Sequence, residues 1–218
     1  MIKSDAIKVF FIIFSACILR VFFDFINDIE IHYEEAQYWV WSQNPSLSYL
    51  TKGPFIAQAI ALSEWIFGHS YLGLKFLSFV SYGGTAIIIG VCSYLISKEK
   101  TAFYLGVLFT LSSPAIFALG GIASTDIYLF LFWSVCLLGY IKFLETKDEK
   151  WFYLIAIGIG FGTLTKLSII LFPLSVLIYF SLSEFRTYFG SATLYKSMLV
   201  AFFLGLPILI WNYQNNWV

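Results

Sequence analysis

Apolar runs close to the length of a membrane-crossing helix recur along the chain and constrain its fold more than any other feature. A helix needs about twenty mostly apolar residues to cross the hydrocarbon core of a bilayer. Seven runs qualify, although one of them, 151–165, is short. They cover residues 7–26, 74–97, 101–119, 124–144, 151–165, 167–183 and 197–211. The pattern predicts an all-α, polytopic transmembrane helical bundle of about seven spans, forming a single domain over residues 1–218.

The composition agrees with a membrane protein and argues against other classes. Of the 218 residues, 60% are hydrophobic and only 12% are charged, which is more apolar surface than a soluble domain of this size could bury. A net charge of zero, without a basic tract among aromatic residues, gives no reason to expect a nucleic-acid partner. Cys17, Cys92 and Cys136 lie within apolar runs and lack zinc-site or disulfide spacing, so we expect buried hydrophobic side chains there.

The long first loop, residues 27–73, carries the residues that most suggest chemistry. Its stretches 33–41 and 54–67 fit helices lying in the membrane interface, where tryptophan and tyrosine side chains act as anchors. Two adjacent carboxylates, Glu34 and Glu35, lie among aromatic residues. Carboxylates that lie close together repel each other, which can raise the pKa of one and make it a usable base near neutral pH.

The same loop continues to Lys52-Gly53-Pro54, a cation that could meet a phosphate. A carboxylate pair and a lysine at a membrane surface together suggest an enzyme acting on a lipid-linked phosphate.

The lysine and arginine distribution predicts a cytoplasmic N-terminus and an external first loop, because these residues are enriched in cytoplasmic segments. With that orientation, cytoplasmic cations outnumber external ones nine to three, and the candidate residues Glu34, Glu35, Lys52, Asp126 and Lys166 fall at the same external end. The cytoplasmic set is Lys3, Lys8, Lys98, Lys100, Lys142, Lys147, Lys150, Arg186 and Lys196, and the external set is Lys52, Lys75 and Lys166.

Several of these residues also have a purely structural interpretation. Arg20 and Asp24 are four residues apart in the first run, so a structural ion pair is as good an explanation as a functional one. The two loop carboxylates could be solvated acids, and Lys52 could be a membrane anchor. Asp126 follows Ser124-Thr125 at the start of a run, where it could cap a helix.

Lys166 and the glycines before it need a separate explanation. An unpaired ammonium within an apolar stretch is costly, so Lys166 should face a polar cavity or a partner. The glycine-rich stretch 158–166 lacks the glycine before lysine that a phosphate-binding loop requires. We expect Gly158 and Gly162 to allow close helix packing instead.

Taken together, these residues resemble those of the GT-C membrane glycosyltransferases that use polyprenyl-phosphate sugars. This group includes lipid A aminoarabinose transferases and protein O-mannosyltransferases. The resemblance covers nearly the whole chain and rests mainly on an acidic pair with an aromatic tail followed by Lys-Gly-Pro. The similar segments are Glu34-Glu35-Ala36-Gln37-Tyr38-Trp39, Ser42-Gln43-Asn44, Tyr49, Lys52-Gly53-Pro54, Thr125-Asp126, Gly162-Thr163-Leu164-Thr165-Lys166 and Pro207-Ile208-Leu209-Ile210-Trp211-Asn212.

The resemblance implies transfer of a sugar from a polyprenyl-phosphate carrier to a lipid, glycan or protein acceptor on the non-cytoplasmic face of a bacterial inner membrane. It implies Glu34 as the base, at a position where the family usually has aspartate, with Glu35 beside it. The candidate substrate-binding residues are Tyr49, Lys52, Lys75, Asp126 and Lys166. In the aminoarabinose branch an acid that helps hold a metal precedes the loop lysine, whereas this chain has Thr51. This half of the family fold therefore gives no basis for inferring a metal, whose involvement stays open, and the resemblance implies no other cofactor.

Members of that group normally continue further, so the resemblance also implies that this chain corresponds to an N-terminal half, with a second half encoded downstream as a partner. Two alternatives from other classes remain open. One is an inactive or truncated membrane remnant. The other is a transporter or lipid-carrier flippase, which would need polar residues along its spans and often an inverted repeat, neither of which is convincing in this sequence.

Overall fold

A computed structural model describes residues 3–27 and 30–217, with side chains from residue 7 onward. The side chain of Lys3, one of the predicted cytoplasmic cations, lies outside the described residues. Those residues form helices and no strand. The α-helices are α1 (Lys3–Ile26), α2 (Tyr33–Gln43), α3 (Phe55–Phe67), α4 (Tyr71–Ser97), α5 (Lys100–Ser112), α6 (Pro114–Gly120), α7 (Thr125–Thr146), α8 (Trp151–Thr165), α9 (Leu171–Ser181) and α10 (Ala192–Gln214). Two 3₁₀-helices cover Leu167–Ile170 and Glu184–Gly190.

The predicted all-helical membrane fold is confirmed. By length and composition, 4 helices can cross a membrane: α1 from Ile7 onward, α4, α7 and α10. The pair α5 and α6 bends by 65°, and the pair formed by 167–181 and 184–190 bends by 112°. Counting each bent pair as one span gives up to 6 spans in the described residues. The difference from the seven predicted runs is α8, which is apolar but only 15 residues long.

The two helices predicted within the first loop are present as α2 and α3. At the start of α2, the His32 ring accepts a hydrogen bond from the backbone N–H of Glu34, while the Glu35 carboxylate accepts one from the backbone N–H of His32. This reciprocal arrangement is a capping box, which satisfies N–H groups that a helix start otherwise leaves unpaired. It fixes the residue at which α2 begins and therefore the placement of both carboxylates.

The chain divides into two compact units. The first comprises residues 1–45 and 56–127, and the second comprises residues 46–55 and 128–218. In the first unit, α4 packs along α5. The candidate residues Glu34, Glu35, Lys75 and Asp126 belong to this unit.

In the second unit, α8 packs against α10, and a core of buried aromatic side chains surrounds Phe143. Gly158 of α8 lies directly against α7, because a Cβ built there would meet the Cys136 sulfur and the Phe132 carbonyl. This close approach confirms the predicted packing role of Gly158. The candidate residues Tyr49, Lys52 and Lys166 belong to this unit.

Candidate active site

Glu34 lies in the first turn of α2 and is half-buried. A carboxylate is favoured there because the helix N-terminus carries partial positive charge. Tyr38 follows one turn later on the same face, and its side chain is fully buried at 0% exposure. Burial raises the pKa of Tyr38, and the negative charges of Glu34 and Asp126 raise it further. The Tyr38 hydroxyl therefore lies within electrostatic reach of both acids.

The segment just before and within the first turn of α7 supplies the other wall of this acidic pocket, which we define by Glu34, Tyr38, Ser124, Thr125 and Asp126. Asp126 is half-buried, and Ser124 and Thr125 are buried beside it. Within residues 3–27 and 30–217, the Ser124 hydroxyl has no hydrogen-bond partner, and the Tyr38 hydroxyl interacts with the Thr125 and Glu34 side chains without forming a hydrogen bond of ordinary geometry. Buried hydroxyls are normally paired, so this pocket offers hydrogen-bonding groups to a polar ligand.

Glu35 points away from solvent and is only 1% exposed. One of its oxygens accepts hydrogen bonds from the backbone N–H of Ala123 at 2.8 Å and lies 3.4 Å from the Lys75 ammonium. The other oxygen accepts the His32 N–H at 3.0 Å. Both oxygens of Glu35 are thus occupied by groups of the protein. The sequence had suggested instead that Glu35, like Glu34, is a loop acid available for chemistry.

Lys75 is also buried, at 2% exposure. Its ammonium donates to the Gly121 carbonyl at 2.8 Å and lies 3.7 Å from Asp24. Asp24 in turn forms the predicted pair with Arg20 at 3.0 Å and accepts a hydrogen bond from Tyr71 at 2.8 Å. The structural interpretation of the Arg20 and Asp24 pair is therefore confirmed, within a larger buried network that also contains Lys75 and Glu35.

In the second unit, Tyr49 and Lys52 form a tight turn in which the Tyr49 N–H donates to the Lys52 carbonyl at 3.2 Å. The backbone N–H of Ser46 donates to the Tyr49 hydroxyl at 3.2 Å. Burial raises the pKa of Tyr49, and this hydrogen bond opposes the rise without cancelling it. The hydroxyl accordingly remains protonated at neutral pH and can serve as a hydrogen-bond donor.

The turn around Lys52 lies against the end of α8. A Cβ built on Gly53 would collide with the carbonyl group of Leu164, so only glycine fits at this approach. Lys166 follows two residues later, immediately after α8, in an extended conformation. Both lysines are half-buried. The fold of this unit therefore brings the backbone of the Lys52 turn beside the segment that carries Lys166. The Lys166 ammonium is electrostatically favoured there, because the C-terminus of α8 carries partial negative charge.

The predicted common pocket of Glu34, Asp126 and Lys166 draws on both units. The charges of Glu34 and Asp126 both act on Tyr38 in the first unit, whereas Lys166 belongs to the second unit. Its sharing of their pocket stays a prediction. For a metal, no three side chains of His, Cys, Asp or Glu come together within the part of the chain that the structure describes.

Sequence reasoning missed Tyr38 and Thr125 as members of the acidic pocket. Tyr38 had a detectable signal, because it follows Glu34 by four residues and shares its face of α2. The sequence analysis also missed Glu64, which connects α3 to α2 by accepting hydrogen bonds from Trp39 at 2.7 Å and Gln43 at 2.8 Å. Burial raises the pKa of Glu64, but these bonds and one with His69 outweigh it and hold the pKa below the ordinary carboxyl value.

Comparison with known proteins identifies relatives among membrane glycosyltransferases. Lipid A galacturonosyltransferase RgtD of Rhizobium johnstonii is 24% identical over 185 residues, which are 84% of this chain and 38% of that protein. Undecaprenyl phosphate-alpha-4-amino-4-deoxy-L-arabinose arabinosyl transferases of Yersinia pestis and Yersinia pseudotuberculosis are 26% identical over 111 residues. Those residues are 48% of this chain and 20% of each relative.

The chain thus spans about two fifths of the length of the first relative and one fifth of the others. No solved structure shows a significant match. The family model described as dolichyl-phosphate-mannose-protein mannosyltransferase matches residues 51–211, which include Lys52, Asp126 and Lys166. This match covers most of the chain and confirms the resemblance seen in the sequence: the protein belongs to the dolichyl-phosphate-mannose-protein mannosyltransferase family.

Proposed function

We propose that this protein transfers a sugar from a polyprenyl-phosphate carrier to an acceptor hydroxyl on the non-cytoplasmic face of the membrane. The observation that carries the proposal is the acidic pocket, where the charges of Glu34 and Asp126 both act on the buried Tyr38 hydroxyl, close to the Ser124 hydroxyl, which has no hydrogen-bond partner. Such a pocket suits an alcohol that must be oriented and deprotonated. The names of the relatives, which specify sugar transfer to lipid A and use of an undecaprenyl-phosphate sugar, support the same chemistry.

In this reaction, a bond forms between the acceptor oxygen and C1 of the sugar while the bond from C1 to the phosphate oxygen breaks. Glu34 takes the proton of the acceptor hydroxyl, and the electron pair of the broken bond leaves with the polyprenyl phosphate. We assign the base to Glu34 rather than to Glu35, because the oxygens of Glu35 are occupied by two backbone N–H groups and Lys75. Asp126 orients the acceptor or the sugar from the opposite wall.

The charge that develops on the leaving phosphate needs cations. We propose that Lys52 and Lys166 hold the phosphate, with the Tyr49 hydroxyl as a further donor. Lysine binds phosphate as a compact charge, and a cation aimed at the leaving group stabilises the transition state most. Lys75 is removed from this set, because its ammonium is buried between Glu35, Asp24 and the Gly121 carbonyl.

We propose a lipid as the acceptor class, because the relative that matches 84% of this chain is named for its action on lipid A. The relatives are much longer than the matched region. We therefore keep the hypothesis of a second half encoded downstream, and activity is best measured on the protein as its host makes it. The relatives lend no support to the transporter or remnant alternatives.

The proposal is tested by supplying native membranes with a labelled polyprenyl-phosphate sugar. We expect label to enter membrane acceptors only when the gene is present, and a soluble nucleotide sugar should not replace the donor under conditions that prevent carrier charging. Transfer that proceeds directly from the nucleotide sugar, or equally well from membranes of a deletion strain, would contradict the function.

We further propose that the N-terminus is cytoplasmic and that the loop 27–73 is external, in keeping with the nine-to-three distribution of cations. A cysteine replacing Leu50, which is 64% exposed, should react with a membrane-impermeant maleimide in intact spheroplasts. A cysteine replacing Lys150, in the connection between α7 and α8, should react only after permeabilisation. The opposite pattern would place the acidic pocket on the cytoplasmic side and overturn the proposed site of transfer.

A further inference from the structure

We propose that Glu35 is a positioning residue. Through a buried network with Lys75, Asp24 and Arg20, it fixes the position of Glu34 relative to Asp126. This inference rests on the proposed function, since it concerns the arrangement of its two acids. It differs from the sequence-based expectation, which placed Glu35 beside the base and Lys75 at the phosphate.

Glu35 joins the two chain segments that build the acidic pocket. On its own side, it directly follows Glu34 and closes the capping box with His32. On the other side, it accepts the N–H of Ala123, which lies three residues before Asp126. One carboxylate therefore fixes the start of α2 and the approach to α7, although residues 35 and 123 are 88 positions apart in sequence.

Lys75 reinforces the same junction from α4. It contacts Glu35 and also donates to the carbonyl of Gly121, two residues before Ala123. The segment just before α7 is thus held by two hydrogen bonds, one to Glu35 and one from Lys75. A Cβ built on Gly121 would collide with the Arg20 side chain, so the same turn also lies directly against the far end of the network.

The network is balanced in charge, with Arg20 and Lys75 facing Asp24 and Glu35. Each of these four side chains is at least nine-tenths buried. Burying two ion pairs has a large desolvation cost, so such a network is a poor source of stability compared with apolar packing. Its presence is better explained by geometry: it defines where two functional segments lie relative to each other.

The catalytic consequence follows from the sensitivity of a positioned reaction to distance. A displacement of about 1 Å at the reacting groups can lower the rate by about 10²-fold. Glutamine at position 35 keeps the size of the side chain but turns one acceptor into a donor. It can then accept from His32 or from Ala123, but an NH₂ group must face the other N–H. The two segments would separate at that point.

We therefore expect Glu35→Gln to lower kcat by roughly 10–100-fold with KM for the carrier within about threefold of wild type. Glu30→Gln, the same change at an exposed acid four residues before Glu34, should leave both constants unchanged. The double variant Glu35→Gln/Lys75→Met restores the charge balance and should show less loss than the sum of its single variants.

A distance measurement separates this inference from the proposed function. Nitroxide labels on Gln37→Cys and Ala118→Cys report α2 and α6 from exposed positions. We expect a narrow distance distribution by pulsed electron paramagnetic resonance, and a broadened or shifted one when Glu35→Gln is added, in protein whose native cysteines are replaced by alanine. An unchanged distribution together with unchanged kcat overturns the positioning role. Absence of sugar transfer in the wild type would instead refute the proposed function, while the distance change would still establish the junction.

Discussion

Replacing Glu34 with glutamine is expected to lower kcat for sugar transfer by about 10²–10⁴-fold, the usual contribution of a positioned general base. The amide keeps the size of the side chain but cannot take the acceptor proton at neutral pH. Binding of the carrier should remain close to wild type, because the lysines assigned to the phosphate are in the other unit of the chain. Initial rates with a labelled polyprenyl-phosphate sugar, measured over a range of donor concentrations, separate the two constants.

Glu30→Gln is the matched control for this variant, since it makes the same chemical change at an exposed position of the same loop. Thermal unfolding in detergent should agree between the two variants and the wild type. If Glu34→Gln transfers sugar at the wild-type rate in a preparation shown to be active, Glu34 is not the base. Asp126 then becomes the residue to test, because its negative charge also acts on the Tyr38 hydroxyl.

Replacing Lys52 with alanine is expected to raise KM for the carrier and to lower kcat as well. Hydrogen bonds to charged groups contribute about 1.5–3 kcal/mol, so the affinity for the carrier should fall by about 10–100-fold. The loss in kcat arises because negative charge on the phosphate grows as the bond to the sugar breaks. Equilibrium binding of a fluorescent polyprenyl phosphate measures the first effect, and single-turnover transfer measures the second.

Lys196→Ala provides the matched control, because Lys196 is an exposed lysine near the start of α10. It removes one positive charge from the chain, as Lys52→Ala does, without touching the turn beside α8. Because Lys196 belongs to the predicted cytoplasmic set, a similar loss of affinity in both variants would indicate an effect of the net charge of the chain and no specific contact of Lys52. That result would remove Lys52 from the phosphate site and leave Lys166 as the remaining candidate.

Local sequence patterns predicted the features that depend on neighbours along the chain. Apolar length located the helices, and the four-residue spacing of Arg20 and Asp24 predicted their ion pair, which the structure contains at 3.0 Å. Glycine spacing predicted the close packing at Gly158. Each of these depends on helical periodicity or on the size of a single side chain, which the sequence states directly.

The features that could not be predicted depend on segments far apart in sequence. Nothing near Glu35 indicates that it meets Lys75 and the backbone of Ala123. Both adjacent acids were therefore candidate catalytic residues, although only Glu34 lines the pocket with Tyr38. Hydropathy alone also could not determine the number of spans, because apolar runs bend sharply at residue 113 and after residue 181. Tertiary contacts determine both outcomes.

The central claim is that the chain transfers sugar from a lipid-linked phosphate at the acidic pocket. The most direct measurement follows the fate of the carrier in native membranes, with a donor labelled separately in the sugar and in the polyprenyl phosphate. We predict that one polyprenyl phosphate is released for each sugar that appears in the lipid acceptor, and that Glu34→Gln suppresses both together. Release of carrier without sugar in any acceptor, or movement of the intact donor across the membrane without bond cleavage, would contradict the account.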